Sequence, residues 1–268
     1  MTIDELQAVH RIDLPDGRTI ACTNPQDAQI WPGLLEDSPY DDGLAALGAG
    51  DLVLDVGAHI GLTALYFTDR VPGVGVIAFE PAPETYACLA DNAGRLMPGV
   101  KVLNLAVGAE AGTAELTFYP RHTMMATLVV DEADDTANMS AVLTNFGLDE
   151  GIRDQVLTEF RDGEQRHRVP VVALGDILDE YGVEEVGLLK IDVERGELAV
   201  LRGIRDDQWS RIRQVVAEVH AIDDNLDEVV AVLRKQGFDT DVRQEAVFVG
   251  GSVHVVFAAR PGAAGGEE

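Results

Sequence analysis

An acidic residue that ends an apolar run is the first candidate for chemistry in this chain. Residues 52–61 read Leu-Val-Leu-Asp-Val-Gly-Ala-His-Ile-Gly, so the run ends at Asp55 and is followed by Gly57 and Gly61. This pattern predicts a buried parallel strand, a tight turn through Gly57 and a helix that begins near Gly61. Such a turn presents backbone N–H groups and a carboxylate to a small ligand at the carboxyl end of a sheet.

A second acid ends the next apolar run. Residues 76–79 read Val-Ile-Ala-Phe and are followed by Glu80. In nucleotide-binding α/β folds, an acid at the end of the second strand accepts hydrogen bonds from both ribose hydroxyls, since a carboxylate has two acceptor oxygens. We therefore expect Asp55 and Glu80 to flank one adenosyl-type ligand.

The glycine spacing distinguishes between cofactors. A dinucleotide fingerprint requires Gly-x-Gly-x-x-Gly, whereas Ala58 and His59 stand between Gly57 and Gly61, and no basic residue is near to meet a pyrophosphate. Asp55 would repel a pyrophosphate but suits the amino group of a methionyl moiety. The pattern favours S-adenosylmethionine over NAD, with His59 among the residues beside the cofactor. Glycines that serve only turns and packing are the structural alternative.

The end of the third predicted strand is expected to hold the adenine. Asn104 and the residues after it would offer backbone or amide hydrogen bonds there. Ala106 and Val107 would line an apolar slot for the ring.

Two further strand ends carry paired polar residues. Lys190 and Asp192 lie two apart in one strand and so share a face, as do Glu218 and His220 in another. Methyl transfer to a hydroxyl needs a positioned base, and His220 is the best candidate because imidazole titrates near neutrality. Asp192 or Glu218 would orient it, and Asp192 also lies beside the cofactor.

Structural roles stay open for each of these four residues. Lys190 and Asp192 could form a structural ion pair, and His220 could cap a loop. Asp192, Glu218 and His220 could also gather a divalent ion, but their spacing alone does not indicate one, and we predict no metal site.

Strands and helices alternate through most of the chain, which predicts a doubly wound, mostly parallel seven-stranded α/β sheet of the Rossmann-like type. The expected strands are 52–56, 74–79, 100–105, 113–119, 126–130, 169–173, 186–191, 212–219, 238–243 and 253–259. The expected helices are 61–70, 83–96, 175–181, 197–204 and 225–236.

One catalytic domain is expected over residues 1–260. Residues 1–50 form an N-terminal extension, with a hairpin at Pro15-Asp16-Gly17 and helical segments broken at Pro32 and Pro39. Residues 120–168 form an insertion whose acidic part, 131–165, is either a lid or a mobile surface loop. The tail 261–268 is expected to be disordered.

Bulk composition narrows the partners and the location. The net charge of −27 opposes binding to nucleic acid or to anionic membrane. No apolar run reaches the roughly 18 residues of a membrane span, no leader is evident, and two cysteines are too few for a disulfide framework. The sequence predicts a cytoplasmic protein without nucleic-acid or membrane partners, and it leaves the oligomeric state open.

With these residues placed, the chain resembles the FkbM family of S-adenosylmethionine-dependent methyltransferases over roughly residues 50–220. The resemblance rests on Asp55-Val-Gly-Ala-His-Ile-Gly61, Phe79-Glu-Pro81, Asn104-Leu-Ala-Val-Gly108 followed by Gly112, and Leu189-Lys-Ile-Asp-Val-Glu194 with Glu197. It implies methylation of a hydroxyl oxygen on a small molecule, such as a natural product or a sugar, either free or tethered to a carrier.

The chain departs from the family pattern on the acceptor side. His59 stands where the family has Asn, Arg195-Gly196 stands where it has Gly-Ala, and the insertion is longer. We expect Arg195, Glu197, Met125 and Thr127 to border the acceptor. The predicted function is O-methylation; an NAD-dependent oxidoreductase and a non-catalytic cofactor-binding scaffold are the alternatives.

Overall fold

The N-terminal extension packs onto the main core. The computed structural model describes residue 3, residues 9–36 and residues 38–262. Strands β1 (His10–Asp13) and β2 (Thr19–Cys22) pair antiparallel, which confirms the expected hairpin. A 3₁₀ helix (Pro25–Gln29), α1 (Ile30–Glu36) and the one-turn α2 (Asp41–Leu44) follow.

Pro32 does not break the helix in which it lies, so that expectation was wrong. It occupies the third position of α1, where the backbone N–H has no intrahelical partner to lose. Pro39 does stand in the gap between α1 and α2.

The central sheet has seven strands. Their order across the sheet is β11–β12–β10–β9–β3–β4–β5, and β12 runs antiparallel to both of its neighbours while the five strands from β10 to β5 are parallel. The bounds are Leu52–Val56 (β3), Gly75–Phe79 (β4), Lys101–Leu103 (β5), Leu188–Ile191 (β9), Gln214–His220 (β10), Asp239–Arg243 (β11) and Val253–Ala259 (β12). The mostly parallel seven-stranded fold is therefore as expected.

Helices cover both faces of this sheet. Because successive strand residues point to opposite faces, Val53 packs in one hydrophobic cluster and Leu54 in the other. The first cluster contains α1, α3 (Leu62–Arg70) and α4 (Pro83–Leu96); the second contains α7 (Leu174–Glu180), α8 (Glu197–Arg202) and α9 (Asn225–Lys235). The carboxyl ends of β3, β4, β9 and β10 consequently meet at one edge.

The residues that follow β5 form a strand of a second sheet, which has three strands in all. It has the order β6–β8–β7, with β6 (Ala106–Gly108), β7 (Gly112–Phe118) and β8 (Gln165–Ala173). The expected strand 126–130 is wrong, since only a single bridge joins Thr127 to Thr117 there.

We call the insertion between β7 and β8, residues 119–164, the cap. It contains two helices, α5 (Glu132–Asn145) and α6 (Glu150–Glu159). Both begin at aspartates, Asp131 and Asp149, whose carboxylates accept backbone N–H groups of the first turn. Acids concentrated at these helix starts explain why the segment reads as acidic and only weakly periodic.

No helix among the described residues is long and apolar enough to cross a membrane.

Candidate active site

The loop after β3 is shaped by two glycines. Gly57 has φ of +81°, and a Cβ atom there would lie 1.6 Å from the backbone oxygen of Asp192. Gly61 has φ of +92° and precedes α3, and its Cβ would lie 2.7 Å from Leu89 Cδ1. Position 57 requires both a positive φ and the absence of a Cβ atom, and only glycine meets both requirements. The turn after β3 therefore lies in direct contact with the backbone at the end of β9.

Asp55 and Lys190 form a buried ion pair at the centre of the edge. The two residues are paired in register between β3 and β9, and Lys190 Nζ lies 3.1 Å from Asp55 Oδ1. Lys190 also donates to the Gly57 carbonyl at 2.6 Å and lies 3.4 Å from Asp192 Oδ2. Burial alone would lower the pKa of Lys190, but Asp55 and Asp192 outweigh it and raise that pKa.

The Asp55 carboxylate is therefore already engaged. Its other oxygen accepts the Thr63 hydroxyl at 2.8 Å, and the side chain is fully buried. Lys190 and Thr63 both contact the carboxylate, and the expected contact between Asp55 and a methionyl amino group stays a prediction. Lys190, expected to be catalytic, holds Asp55 and the Gly57 carbonyl.

Glu80 lies beside the same loop, as its position after β4 predicts. One oxygen accepts Ala82 N–H and the Thr85 hydroxyl, each at 2.8 Å, and the other accepts only His59 N–H at 2.9 Å. Burial raises the pKa of this carboxyl. Since each oxygen accepts about two hydrogen bonds, one acceptor position is left for a ribose hydroxyl, and the expected contact with both ribose hydroxyls stays a prediction.

His59 connects the loop to the N-terminal extension and the insertion. Its Nε2 lies 2.8 Å from Thr123 Oγ1, and the Thr123 hydroxyl donates to Asp27 Oδ1 at 2.6 Å. Because the Thr123 proton is given to Asp27, His59 Nε2 must be the donor to Thr123. In the neutral ring Nδ1 is then an acceptor, and this buried atom has no partner.

Asp27 and Thr123 were missed by sequence reasoning. Asn24 and Asp27 form a capping box around the 3₁₀ helix, a pattern that could have shown Asp27 to be ordered. Nothing in the sequence connects either residue to His59.

The residues expected around the adenine divide between two sheets. Asn104 follows β5 and donates its amide to the carbonyls of Glu80 and Pro81, at 2.8 and 3.0 Å, so it fixes the strand end that carries Glu80. Ala106 and Val107 lie in β6, are 4% and 5% exposed, and pack in separate hydrophobic clusters. The structure brings Asn104 to the site but places Ala106 and Val107 in the core beside it.

Carboxyl groups crowd the ends of β9 and β10. Asp192 follows β9, Glu218 lies in β10, and the Tyr40 hydroxyl donates to Glu218 at 3.4 Å. Burial and the neighbouring Asp192 raise the pKa of Glu218 well above its ordinary value, although Lys190 opposes this. Burial and the charge of Asp192 therefore disfavour the ionised form of Glu218.

His220 lies between two carboxylates. Its Nε2 is 3.2 Å from Glu194 Oε2 and its Nδ1 is 3.5 Å from Glu197 Oε1. Burial alone would lower the pKa of His220, but the two glutamates outweigh it and raise that pKa to about 11. The two glutamates therefore favour the imidazolium form of His220, and the expected role of His220 as the base stays a prediction.

Glu197 and Arg195 both bond to other parts of the protein, and their expected place beside the acceptor stays a prediction. Glu197 is fully buried and accepts Arg195 N–H at 2.7 Å. The Arg195 guanidinium donates to the Val129 carbonyl at 2.8 Å and pairs with Asp134 and Asp135 at 3.0 and 2.7 Å. Arg195 thereby fastens the cap to the loop between β9 and α8.

Thr127 and Met125 also support the cap. The Thr127 hydroxyl donates to the Glu194 carbonyl at 2.6 Å, and Thr127 is 1% exposed. Met125 packs against the apolar cluster between the two cap helices. Thr127 is buried and Met125 is partly buried, and their expected contacts with an acceptor stay a prediction.

A cleft of about 300 Å³ lies between the cap and these strand ends. Its lining includes Val129, Val130, Arg195, His220, Ile222 and Asn225. Among the described residues, no group of three or more histidine, cysteine, aspartate or glutamate side chains could hold a metal ion.

This sheet, with a glycine loop after its first parallel strand and an acid after its second, defines a Rossmann-like S-adenosylmethionine-dependent methyltransferase. The donor set fits the cofactor: Glu80 has one acceptor position left, His59 Nδ1 lacks a partner, and the charges at the edge suit a cationic methionyl group.

Comparison with known proteins gives the family. The model of the methyltransferase FkbM domain matches residues 55–240, so the chain belongs to the FkbM family of methyltransferases. It is 41% identical to the 31-O-demethyl-FK506 methyltransferase FkbM of Streptomyces tacrolimicus, over 94% of this chain and 97% of that protein.

Two other relatives are more distant. Methyltransferase sdnD of Sordaria araneosa is 32% identical over 78% of this chain and 81% of its own length. The AMB antimetabolite synthetase AmbE of Pseudomonas aeruginosa is 32% identical over 94% of this chain, but the match covers 12% of that much longer protein.

Proposed function

We propose that the protein transfers a methyl group from S-adenosylmethionine to a hydroxyl oxygen of a small molecule, a natural product or sugar-containing intermediate, either free or tethered to a carrier. The observation that carries this proposal is the cleft between the cap and the ends of β9 and β10. It is lined by residues of the cap and by the loops after β9 and β10, and it reaches His220. The relative named for its action on 31-O-demethyl-FK506 supports an oxygen acceptor on a small molecule.

The donor half of the site is built from the loop after β3 and the end of β4. Glu80 would accept one ribose hydroxyl, and His59 Nδ1 would accept the methionyl ammonium group. Asp192 is partly exposed, with 31% of its side chain accessible, and its negative charge would stabilise the same cationic end. When bound, S-adenosylmethionine supplies a methyl group already activated on a sulfonium.

The remaining task of the protein is alignment. The acceptor oxygen must lie in line with the methyl carbon and the sulfur, and the cap and the loop after β9 fix that position together. Arg195 and Thr127 join these two elements through Val129 and Glu194.

Calorimetry tests the donor half. We expect binding of S-adenosylmethionine and S-adenosylhomocysteine and no binding of NAD. Binding of NAD alone would contradict the proposal.

A labelled donor tests the acceptor half. With [¹³C-methyl]-S-adenosylmethionine and a panel that begins with 31-O-demethyl-FK506 and hydroxylated sugars, the carbon chemical shift of the product distinguishes O-methyl from N-methyl and C-methyl groups. A product methylated on nitrogen or carbon would refute O-methylation. Donor binding without turnover of any hydroxylated acceptor would favour a non-catalytic scaffold.

A further inference from the structure

The loop between β9 and α8 carries Glu194, a carboxylate to which sequence reasoning gave no chemical role. Glu194 and Arg195 both have positive φ, +53° and +77°. Two consecutive non-glycine residues in the left-handed region are strained, and such strain persists where the surroundings enforce it. Here the surroundings do enforce it.

Three contacts hold the backbone and side chain of Glu194 in place. The Thr127 hydroxyl donates to its carbonyl at 2.6 Å, and Glu197 accepts the next N–H, that of Arg195, at 2.7 Å. His220 Nε2 lies 3.2 Å from its carboxylate. One element of the cap, one of α8 and one of β10 thus converge on a single glutamate.

We infer that Glu194 is the catalytic base of the methyl transfer and that His220 is a positioning residue which holds the Glu194 carboxylate toward the acceptor. This inference rests on the proposed function. In the step, the acceptor hydroxyl oxygen forms a bond to the methyl carbon as the carbon–sulfur bond breaks and its electron pair goes to sulfur. The hydroxyl proton goes to Glu194, which later releases it to water.

The other carboxyl groups at this edge are less suited to the task. Asp192 shares the Lys190 ammonium with Asp55, and burial together with Asp192 raises the pKa of Glu218 well above its ordinary value. Glu194 is 19% exposed at its side chain and is the neighbour of Arg195 and His220, which both line the cleft. Glu194 thus combines a partly exposed side chain next to two residues that line the cleft with a direct contact to a cation, His220.

The charges around the pair set the direction of its pH dependence. Burial raises the pKa of Glu194, and so does Asp192, whereas His220 and Arg195 lower it. His220 is faced by Glu194 and by Glu197, and Glu218 lies beyond Asp192. Turnover should fall as the pH falls through the pKa of Glu194, which lies above the ordinary value for glutamate.

Two variants separate the roles of the pair. Glu194→Gln should lower kcat by about 10²–10⁴-fold with 31-O-demethyl-FK506 as acceptor, with little change in affinity for S-adenosylhomocysteine. His220→Gln removes the neighbouring cation, so the acidic limb of the kcat/KM profile should move up by about 1–3 pH units while turnover at high pH recovers. Glu115→Gln, at an exposed carboxylate that pairs with Arg166, is the control and should match the wild type.

The opposite pattern would overturn the inference. If His220→Gln abolished turnover at every pH while Glu194→Gln kept it, His220 would be the base. A loss in both variants with an unshifted pH profile would leave them only structural roles.

An NMR titration of the histidine ring tests the pair without an acceptor. With S-adenosylhomocysteine bound, the His220 imidazolium should persist through pH 9 in the wild type and should titrate at lower pH in Glu194→Gln. Titration of His220 near 6.5 in the wild type would refute the arrangement. Absence of turnover across the acceptor panel, by contrast, would count against the proposed function.

Discussion

At the scale of single residues, His59 is the side chain where donor binding can be dissected most sharply. Its Nε2 donates toward Thr123 and Asp27, which leaves Nδ1 as a buried acceptor without a partner. An unpaired buried acceptor costs about 1–3 kcal/mol, and a bound ammonium group would remove that cost.

We predict that His59→Ala weakens binding of S-adenosylhomocysteine by about tenfold or more, because one charge-assisted hydrogen bond is lost. Binding of 5′-methylthioadenosine, which lacks the amino-acid moiety, should be unchanged. Calorimetry with both ligands measures the difference. An equal loss for the two ligands would show that His59 only supports the fold of the loop.

A double-mutant cycle tests whether Asp27 acts through His59. Asp27→Asn should weaken S-adenosylhomocysteine binding in the wild type and have little further effect in the His59→Ala background. Additive effects would separate the two residues.

Sequence reasoning located residues whose position follows from strand register. Asp55, Glu80, Lys190 and Asp192 meet at one edge because parallel strands end together there. It did not foresee the surroundings of His220, because the proton affinity of that ring depends on Glu194 and Glu197. Glu194 lies on a left-handed backbone, and no pattern in the chain indicated that geometry.

At the scale of elements, the turn after β3 depends on close backbone contact. Gly57→Ala would place Cβ 1.6 Å from the Asp192 oxygen, so the end of β9 must move. We expect loss of measurable S-adenosylhomocysteine binding and a marked fall in Tm. Calorimetry measures the first and thermal unfolding the second. Gly99→Ala is the matched control, since Gly99 also has positive φ, +98°, but nothing within 4 Å.

The control isolates the conformational cost of a left-handed alanine, about 1–2 kcal/mol. If the two variants lost equal stability and both bound the ligand, close approach at Gly57 would be unimportant.

The cap is fastened to the sheet at a second point. Asn138 on α5 bonds Asp134 and both the hydroxyl and the N–H of Ser252, with distances of 2.6–3.0 Å. Asn138→Ala should therefore increase hydrogen exchange in α5 while leaving the central sheet protected. Thr136→Ala, on the same helix and exposed, is the control. Faster exchange in β3 and β4 would show that the cap and the sheet open together.

The cap also shows why sequence patterns failed there. A strand was expected at 126–130, but this segment pairs only through Thr127 and otherwise connects to Arg195 and Glu194. Contacts between residues so far apart in the sequence produce no local hydrophobic periodicity. The central strands, by contrast, are buried on both faces and read as continuous apolar runs.

At the scale of the whole molecule, the net charge of −27 opposes the folded state through self-repulsion. Raising sodium chloride from about 0.02 to about 0.5 M shortens the Debye length from roughly 20 to roughly 4 Å and should raise Tm. Thermal unfolding measures this, and potassium chloride should act equally because screening depends on ionic strength. A fall in Tm would mean that the surface ion pairs outweigh the excess of acids.

The contact of Asp27, Thr123 and His59 has a consequence for chimeric proteins. The N-terminal extension and the insertion are far apart in sequence, yet they meet beside His59. Thr123 of the insertion contacts the imidazole ring and donates to Asp27 of the extension. A chimera that takes only the N-terminal extension or only the insertion from a homologue would lose one of the two hydrogen bonds in this chain. Exchanging both together, with the residue at position 59, should preserve the donor site while altering the acceptor cleft.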